Sequence, residues 1–266
     1  MRVLSALVLF PVALGAIWFG GVIFGAFVAA ICVAAAWELG RMLGAGPFEP
    51  LAVLLAAAAV VPLAVFFLDG PVWALTILAI AAALALPLAA QTGKTTGTWV
   101  LGVLYIGLPA LALVGLRTTE PMGLSAVILV FIAVWATDIG AYFVGRRIGG
   151  PKLAPSISPG KTWSGAVGGV VASGFAGIVL ALTIGGASIV ALGLVAAVLS
   201  VAGQIGDLVE SALKRRAGVK DSSRLIPGHG GVLDRVDGLF FAAVAAFVIG
   251  AARTGVWAPG SGVMVW

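Results

Sequence analysis

VLSALVLFPVALGAIWFGGVIFGAFVAAICVAAAW, residues 3–37, holds no charged side chain in 35 positions. As one helix it would reach about 52 Å, whereas the hydrocarbon core of a bilayer is about 30 Å thick. The run therefore folds back, and Gly20-Gly21 is the natural turn. That predicts helices over 3–19 and 22–39. Arg2 ahead of an apolar stretch resembles a secretion signal, but no small-x-small cleavage site closes it, so it reads as a retained helix. Residues 50–90 repeat the arrangement with Asp69 as their only charge, and Asp69-Gly70-Pro71 marks the turn between spans at 50–68 and 72–90. Further spans are expected at 99–116, 123–145, 163–184, 188–206 and 239–256, nine in all.

Composition agrees. Hydrophobic residues make up 62% of the 266 and charged ones 9%, against roughly 25% charged in an ordinary soluble protein. Mean hydropathy is +1.20. There is too little charge to coat a water-facing surface, which excludes a soluble or disordered chain, and the continuous apolar runs exclude a β-barrel. The fold class expected is all-α, a polytopic integral membrane protein forming one membrane domain over 1–266. Residues 1–120 read as an N-terminal helical scaffold, and 121–266 as a catalytic half with cytoplasmic links at 146–162 and 207–238. One cysteine, Cys32, allows neither an intrachain disulfide nor a zinc cluster.

The bases set the orientation. With a cytoplasmic N-terminus, 13 of the 15 Lys and Arg fall inside, and only Arg117 and Arg253 fall outside. This satisfies the positive-inside rule and puts the C-terminus outside. The net charge of +5 thus records topology and does not call for nucleic acid. Trp18, Trp37, Trp73, Trp99 and Trp257 lie at span ends and read as an interfacial belt. Gly165, Gly169, Ser173 and Gly177, four apart, predict a close helix–helix contact.

Acids are unevenly spread. The first 120 residues hold only Glu38, Glu49, Asp69 and Glu120, and Glu38 with Arg41 reads as a solvated i,i+3 pair at a helix end. Residues 207–237 hold five acids, six bases and the only histidine, His229. A loop that merely sets topology needs no acids. Asp207, Ser211, Lys214 and Arg215 share one helix face if the eighth span continues past 206. Pro227-Gly228-His229-Gly230-Gly231 is a glycine-dense turn that lets backbone N–H groups approach an anion, and Asp234 and Asp237 follow three apart. Asp138 lies inside the sixth span, where an acid marks a site by default; the plainer alternative pairs it with Arg146. Ser158 to Trp163 places hydroxyls and Lys161 just before a helix, a phosphate contact. It is not a P-loop, because Pro155 stands where that motif needs glycine.

Clustered carboxylates at a membrane face suit Mg²⁺, and the surrounding cations suit phosphates. Together they point to phosphoryl or nucleotidyl transfer. No strong protein nucleophile is visible, so the attacking oxygen belongs to the substrate, and His229 reads as a hydrogen-bond donor to phosphate.

Ser211-Ala-Leu-Lys214-Arg215, Lys220-Asp221, Pro227-Gly-His229-Gly-Gly and Asp234-Arg235-Val-Asp237 resemble the signature of the phosphatidate cytidylyltransferases, or CDP-diacylglycerol synthases. Gly206-Asp207-Leu-x-Glu210-Ser211, Asp138-x-x-Ala141-Tyr142-x-x-Gly145 and Leu153-Ala-Pro155-x-x-Ser158-Pro-x-Lys161-Thr162 are similar to it as well. The motifs cover residues 130–240. The resemblance implies a bacterial inner-membrane enzyme, multi-pass, with its site facing the cytoplasm. It would make CDP-diacylglycerol and pyrophosphate from CTP and phosphatidate for phospholipid biosynthesis. By the same resemblance Asp207, Asp234, Asp237 and Asp221 are the Mg²⁺ ligands, and a monovalent cation such as K⁺ accompanies the Mg²⁺. Asp207, Lys214, Asp234 and Asp237 form the catalytic group. Lys161, Lys214, Arg215, Lys220 and Arg235 hold phosphates, Ser158, Ser211 and His229 add hydrogen bonds, and Asp138 supports or pairs a cation. Membrane lipids surround the protein, a homodimer fits the family, and nucleic acid has no place.

Two rivals stay open. A CDP-alcohol phosphotransferase needs Ala-Arg after its Asp-Gly pair, whereas Asp237-Gly238 is followed by Leu239 and Phe240. A transporter would gather its charges at the midplane, whereas these cluster at one face.

Overall fold

The structure, a computed structural model, describes residues 2–184, 187–226, 228 and 230–266. Its elements, in chain order, are α1 (Arg2–Phe19), α2 (Gly21–Met42), α3 (Pro50–Asp69), α4 (Pro71–Gln91), α5 (Thr96–Arg117), α6 (Gly123–Ile148), β1 (Lys152–Ala154), β2 (Ser158–Thr162), α7 (Trp163–Ile184), α8 (Ile189–Arg216), α9 (Leu233–Thr254) and α10 (Pro259–Met264). Among the described residues, α2 to α9 are each long and apolar enough to cross a membrane, and α1 contributes a shorter apolar stretch, Phe10–Phe19. The chain is an all-α polytopic membrane protein. The expected count of nine spans thus stands at eight of full length plus α1.

The chain reverses at each span, through short links except after α6 and α8. The two tightest are single glycines, Gly20 and Gly70, whose φ values of 65° and 89° lie in the left-handed region that glycine enters without a Cβ penalty. The links after α2, α4, α6 and α8 therefore gather at one end of the bundle. That end carries 13 of the 15 bases. α5 is the central helix, far more of it enclosed by protein than of the other seven full-length spans. Trp99, at its start, is 2% exposed and lies under the Lys94 ammonium at 5.4 Å. It is a core residue, which corrects its place in the expected interfacial belt. Trp18, Trp37, Trp73 and Trp257 are exposed.

The small-residue face of α7 packs against two helices. A Cβ on Gly169 would meet the Thr137 side chain and carbonyl of α6 at 3.0 Å, and one on Gly177 would meet the Leu192 carbonyl of α8 at 2.5 Å. Ser173 Oγ donates to the Ala196 carbonyl at 2.8 Å. These approaches hold α6, α7 and α8 as one unit.

Four features depart from expectation. α8 runs to Arg216 instead of ending near 206, because Lys214, Arg215 and Arg216 fill its last turn and complement the negative end of the helix dipole. α9 starts at Leu233, six residues ahead of the expected 239. Residues 152–162 form an antiparallel hairpin pairing Lys152 with Thr162 and Ala154 with Ser158, and the chain ends in α10, folded back on α9.

Candidate active site

The site lies where α6, α7, α8, α9 and the hairpin meet. Beneath it, Thr137 Oγ1 donates to the Ala133 carbonyl and lies 2.7 Å from Ser200 Oγ, while Gln204 Nε2 donates to the Ala166 carbonyl at 3.2 Å. Thr137 and Ser200 are buried. This polar layer ties α6, α7 and α8 into a floor with its donors satisfied.

Above the floor are two cavities of about 490 Å³ each. Both are bounded by Thr137, Asp138, Gln204 and Asp207, which form their common wall. The first is cationic, lined by Arg146, Lys152 and Lys161. The second is acidic, with Asp221, Asp234 and Asp237 joining the wall acids and only Lys214 and Arg235 as bases. Lys161 Nζ pairs with Asp207 Oδ2 across the rim of the wall. Ser211 Oγ donates to Asp207 Oδ1 at 3.4 Å, one turn along α8.

Lys214 is the best-enclosed base of the site. Its Nζ lies 2.5 Å from Glu210 Oε2 and 2.6 Å from Asp234 Oδ1, and Glu210 is fully buried. A buried ion group of this kind is costly to leave incomplete. Asp234 Oδ2 accepts from Gly231 N at 2.8 Å, Ser222 Oγ at 2.9 Å and Ser222 N at 3.0 Å. Asp237 sits one turn further along α9, and its Oδ1 accepts from Gly238 N at 2.8 Å.

Of the residues singled out in the sequence, Asp138, Lys161, Asp207, Lys214, Asp221, Asp234, Arg235 and Asp237 line the two cavities. Ser158 pairs with Ala154 in the hairpin, and Arg215 Nε donates to the Ile157 carbonyl at 3.2 Å; the two order the hairpin and border neither cavity. Lys220 is exposed outside both. His229 lies outside the described residues. Thr162 turns out to cap its own helix, its Oγ1 accepting from Gly165 N at 3.1 Å. Arg146 donates to Tyr142 Oη at 2.7 Å.

Two acids take unforeseen places. Glu38 is not a solvated partner of Arg41: it is 0% exposed and turned inward, while the Arg41 guanidinium stacks 4.8 Å from the Trp37 ring centroid. Glu38 accepts from Ser222 and Ser223 hydroxyls and from the amides of Val232 and Leu233. Glu210 belongs to the Lys214 group. Glu38 is visible as an acid at the end of an otherwise apolar helical stretch, the kind of signal that singles out Asp138, and Glu210 is visible within Gly206-Asp207-Leu-x-Glu210-Ser211. Lys152, expected only as a marker of topology, and Arg146, expected as such a marker or as a partner for Asp138, line the first cavity.

The donor set fits Mg²⁺ in kind: every candidate ligand is a hard carboxylate oxygen. Among the described residues no three acids, histidines or cysteines are already gathered at chelating distance. Magnesium keeps waters and substrate phosphates in its shell and needs only one or two carboxylates. Asp207, Asp221, Asp234 and Asp237 all line the acidic cavity; the Asp207 oxygens meet Lys161 and Ser211, and those of Asp234 meet Lys214, Ser222 and the Gly231 amide.

Fold and site define a helical membrane protein with a charged, two-chambered cavity at one end of its bundle. The chain belongs to the cytidylyltransferase family, whose model it matches over residues 1–252, and it is a nucleotidyltransferase. It is 42% identical over 250 residues to the phosphatidate cytidylyltransferase of Brucella suis biovar 1, covering 94% of this chain and 92% of that protein. It is 40% identical over 282 residues to the phosphatidate cytidylyltransferase of Pseudomonas aeruginosa, covering 98% of each.

Proposed function

We propose that this enzyme transfers the cytidylyl group of CTP to phosphatidate, giving CDP-diacylglycerol and pyrophosphate. The observation that carries the reading is the meeting of a three-cation cavity and a five-carboxylate cavity at one wall, Asp138 and Asp207, in a chain of this family. The phosphatidate phosphate takes the cationic cavity, where Lys161, Arg146 and Lys152 offset its charge. Exposed Ile139, Phe143 and Val167 follow the lining residues Asp138, Tyr142 and Ala166 directly along α6 and α7 and give the acyl chains an apolar path from the bilayer. The CTP triphosphate takes the acidic cavity.

The arriving phosphate displaces Asp207 from Lys161, which frees the Asp207 carboxylate toward the second cavity. A phosphatidate oxygen then attacks the α-phosphorus of CTP. The bond from that phosphorus to the bridging oxygen breaks, and pyrophosphate departs with the electron pair. An ionised phosphate needs no general base to remove a proton before it attacks. Lys214, held between Glu210 and Asp234, keeps a fixed positive charge beside the transferring group. Asp207 and Asp237 would hold Mg²⁺, which when bound neutralises triphosphate charge.

The orientation follows from charge. The site end carries 13 of the 15 bases, so that end faces the cytoplasm of a bacterial inner membrane. The test is pyrophosphate release by detergent-purified protein given CTP, phosphatidate and Mg²⁺, each omitted in turn. Release that requires all three, with CDP-diacylglycerol as product, is expected. Release without the lipid, or none from well-folded protein, overturns the reading.

A further inference from the structure

Glu38 belongs to α2, in the half of the chain that otherwise holds apolar scaffold. Its carboxylate is fully buried at the point where α9 begins. Oε2 accepts from Leu233 N at 2.7 Å and Ser222 Oγ at 3.0 Å; Oε1 accepts from Ser223 Oγ at 2.5 Å and Val232 N at 2.9 Å. The first amides of a helix have no partner within it, and α9's own N-cap residue, Val232, offers no side-chain acceptor. Glu38 supplies that acceptor from nearly two hundred positions away. Its negative charge also faces the positive end of the α9 dipole.

The same contacts touch the charged group of the site. Ser222 Oγ lies between Glu38 Oε2 and Asp234 Oδ2, and Gly231 N donates to Asp234 Oδ2. Gly231 is what allows the approach: a Cβ there would lie 2.0 Å from Ser222 Oγ and 2.5 Å from Glu38 Oε1. Asp234 in turn fixes Lys214.

We infer that Glu38 is a positioning residue: by capping α9 and gripping Ser222, Ser223, Val232 and Leu233 from α2, it sets where Asp234 holds the Lys214 ammonium. The inference rests on the cytidylyl-transfer reading. Glu38 borders neither cavity and touches no reacting group, so its effect is on geometry. Displacing a catalytic group by about 1 Å costs on the order of a hundredfold in rate.

The test compares wild type, Glu38→Gln, Glu38→Asp and the remote control Glu120→Gln in detergent, by steady-state kinetics and amide hydrogen exchange. Glu38→Gln keeps one acceptor but turns an NH₂ toward buried donors. Its kcat should fall about 10- to 100-fold with KM for CTP little changed. Exchange should quicken at residues 222–237 and stay unchanged in α3, α4 and α7. Glu38→Asp keeps the charge and should recover part of the rate. If Glu38→Gln gives no folded protein, Glu38→Asp carries the test by the same kinetics and exchange. A folded variant with wild-type kcat, or a rate loss matched by uniform exchange across the bundle, overturns the inference. A wild type that releases no pyrophosphate overturns the underlying reading instead, and the exchange comparison still decides whether Glu38 orders residues 222–237.

Discussion

The two ends of the bundle use their cations in opposite ways. At the end away from the site, Arg117 donates from Nε to the Ile17 carbonyl at 2.6 Å and from Nη2 to the Trp18 carbonyl at 2.8 Å. Arg253 donates to the Val265 carbonyl at 2.6 Å and lies 3.7 Å over the Trp266 ring. Each arginine locks a chain reversal by satisfying backbone acceptors that a helix end leaves open. At the site end, Lys161 and Lys214 face carboxylates beside open cavities. A carbonyl cannot leave its arginine without unfolding a turn. A carboxylate can yield its lysine to a phosphate, and that exchange is what a site for anionic substrates requires.

The comparison breaks first at Asp234. Asp234→Asn removes one of the two carboxylates on Lys214 and leaves Glu210 to balance the charge, so the bundle should stay folded. Turnover in the pyrophosphate assay should fall about 10²- to 10³-fold; near-wild-type activity would show that the Lys214 group takes no part in the reaction. Arg117→Met probes the other end. It orphans two carbonyls around a residue only 7% exposed and should cost about 2–3 kcal/mol of stability, seen as a lower thermal midpoint in detergent, with the specific activity of the folded fraction unchanged. Loss of activity without loss of stability there would erase the distinction between the two ends.

The smallest effect is expected at the Glu49–Lys94 pair, which lies at the site end but borders neither cavity. The Lys94 hydrogen bond, with a second from Gly46 N, holds the Glu49 carboxyl below its ordinary range. Its contribution to stability is therefore present above the unfolded-state pKa and fades as pH falls through the depressed one. The group is exposed, so Glu49→Gln should move neither the midpoint nor the rate measurably. A marked loss of activity would extend the site to a corner that the cavities do not reach.

The spans were legible because the bilayer imposes its own arithmetic. Continuous apolar runs, interrupted at Gly20-Gly21 and Asp69-Gly70-Pro71, set helix number and direction before any packing is known. The motif residues were legible for a related reason: acids and bases are rare in this chain, so their clustering in 207–237 stands out. The hairpin was not, since five-residue β2, Ser-Pro-Gly-Lys-Thr, has no apolar alternation and is held by Arg215 of α8 on the Ile157 carbonyl. Glu38 was misread because a carboxylate three residues from an arginine at a helix end looks the same whether it faces water or another helix.

By itself, the sequence determined that the chain crosses a membrane, which links share a side and which residues carry charge, since these depend on local hydropathy and on the order of residues. The tertiary structure alone decided which charges meet. The Lys161–Asp207 pair, the contact of Lys214 with Asp234, and the reach of Glu38 to the start of α9 join residues from 20 to nearly 200 positions apart. Electrostatic contacts act over a few ångströms of space, and only the packing of α2, β2, α8 and α9 brings those ångströms about.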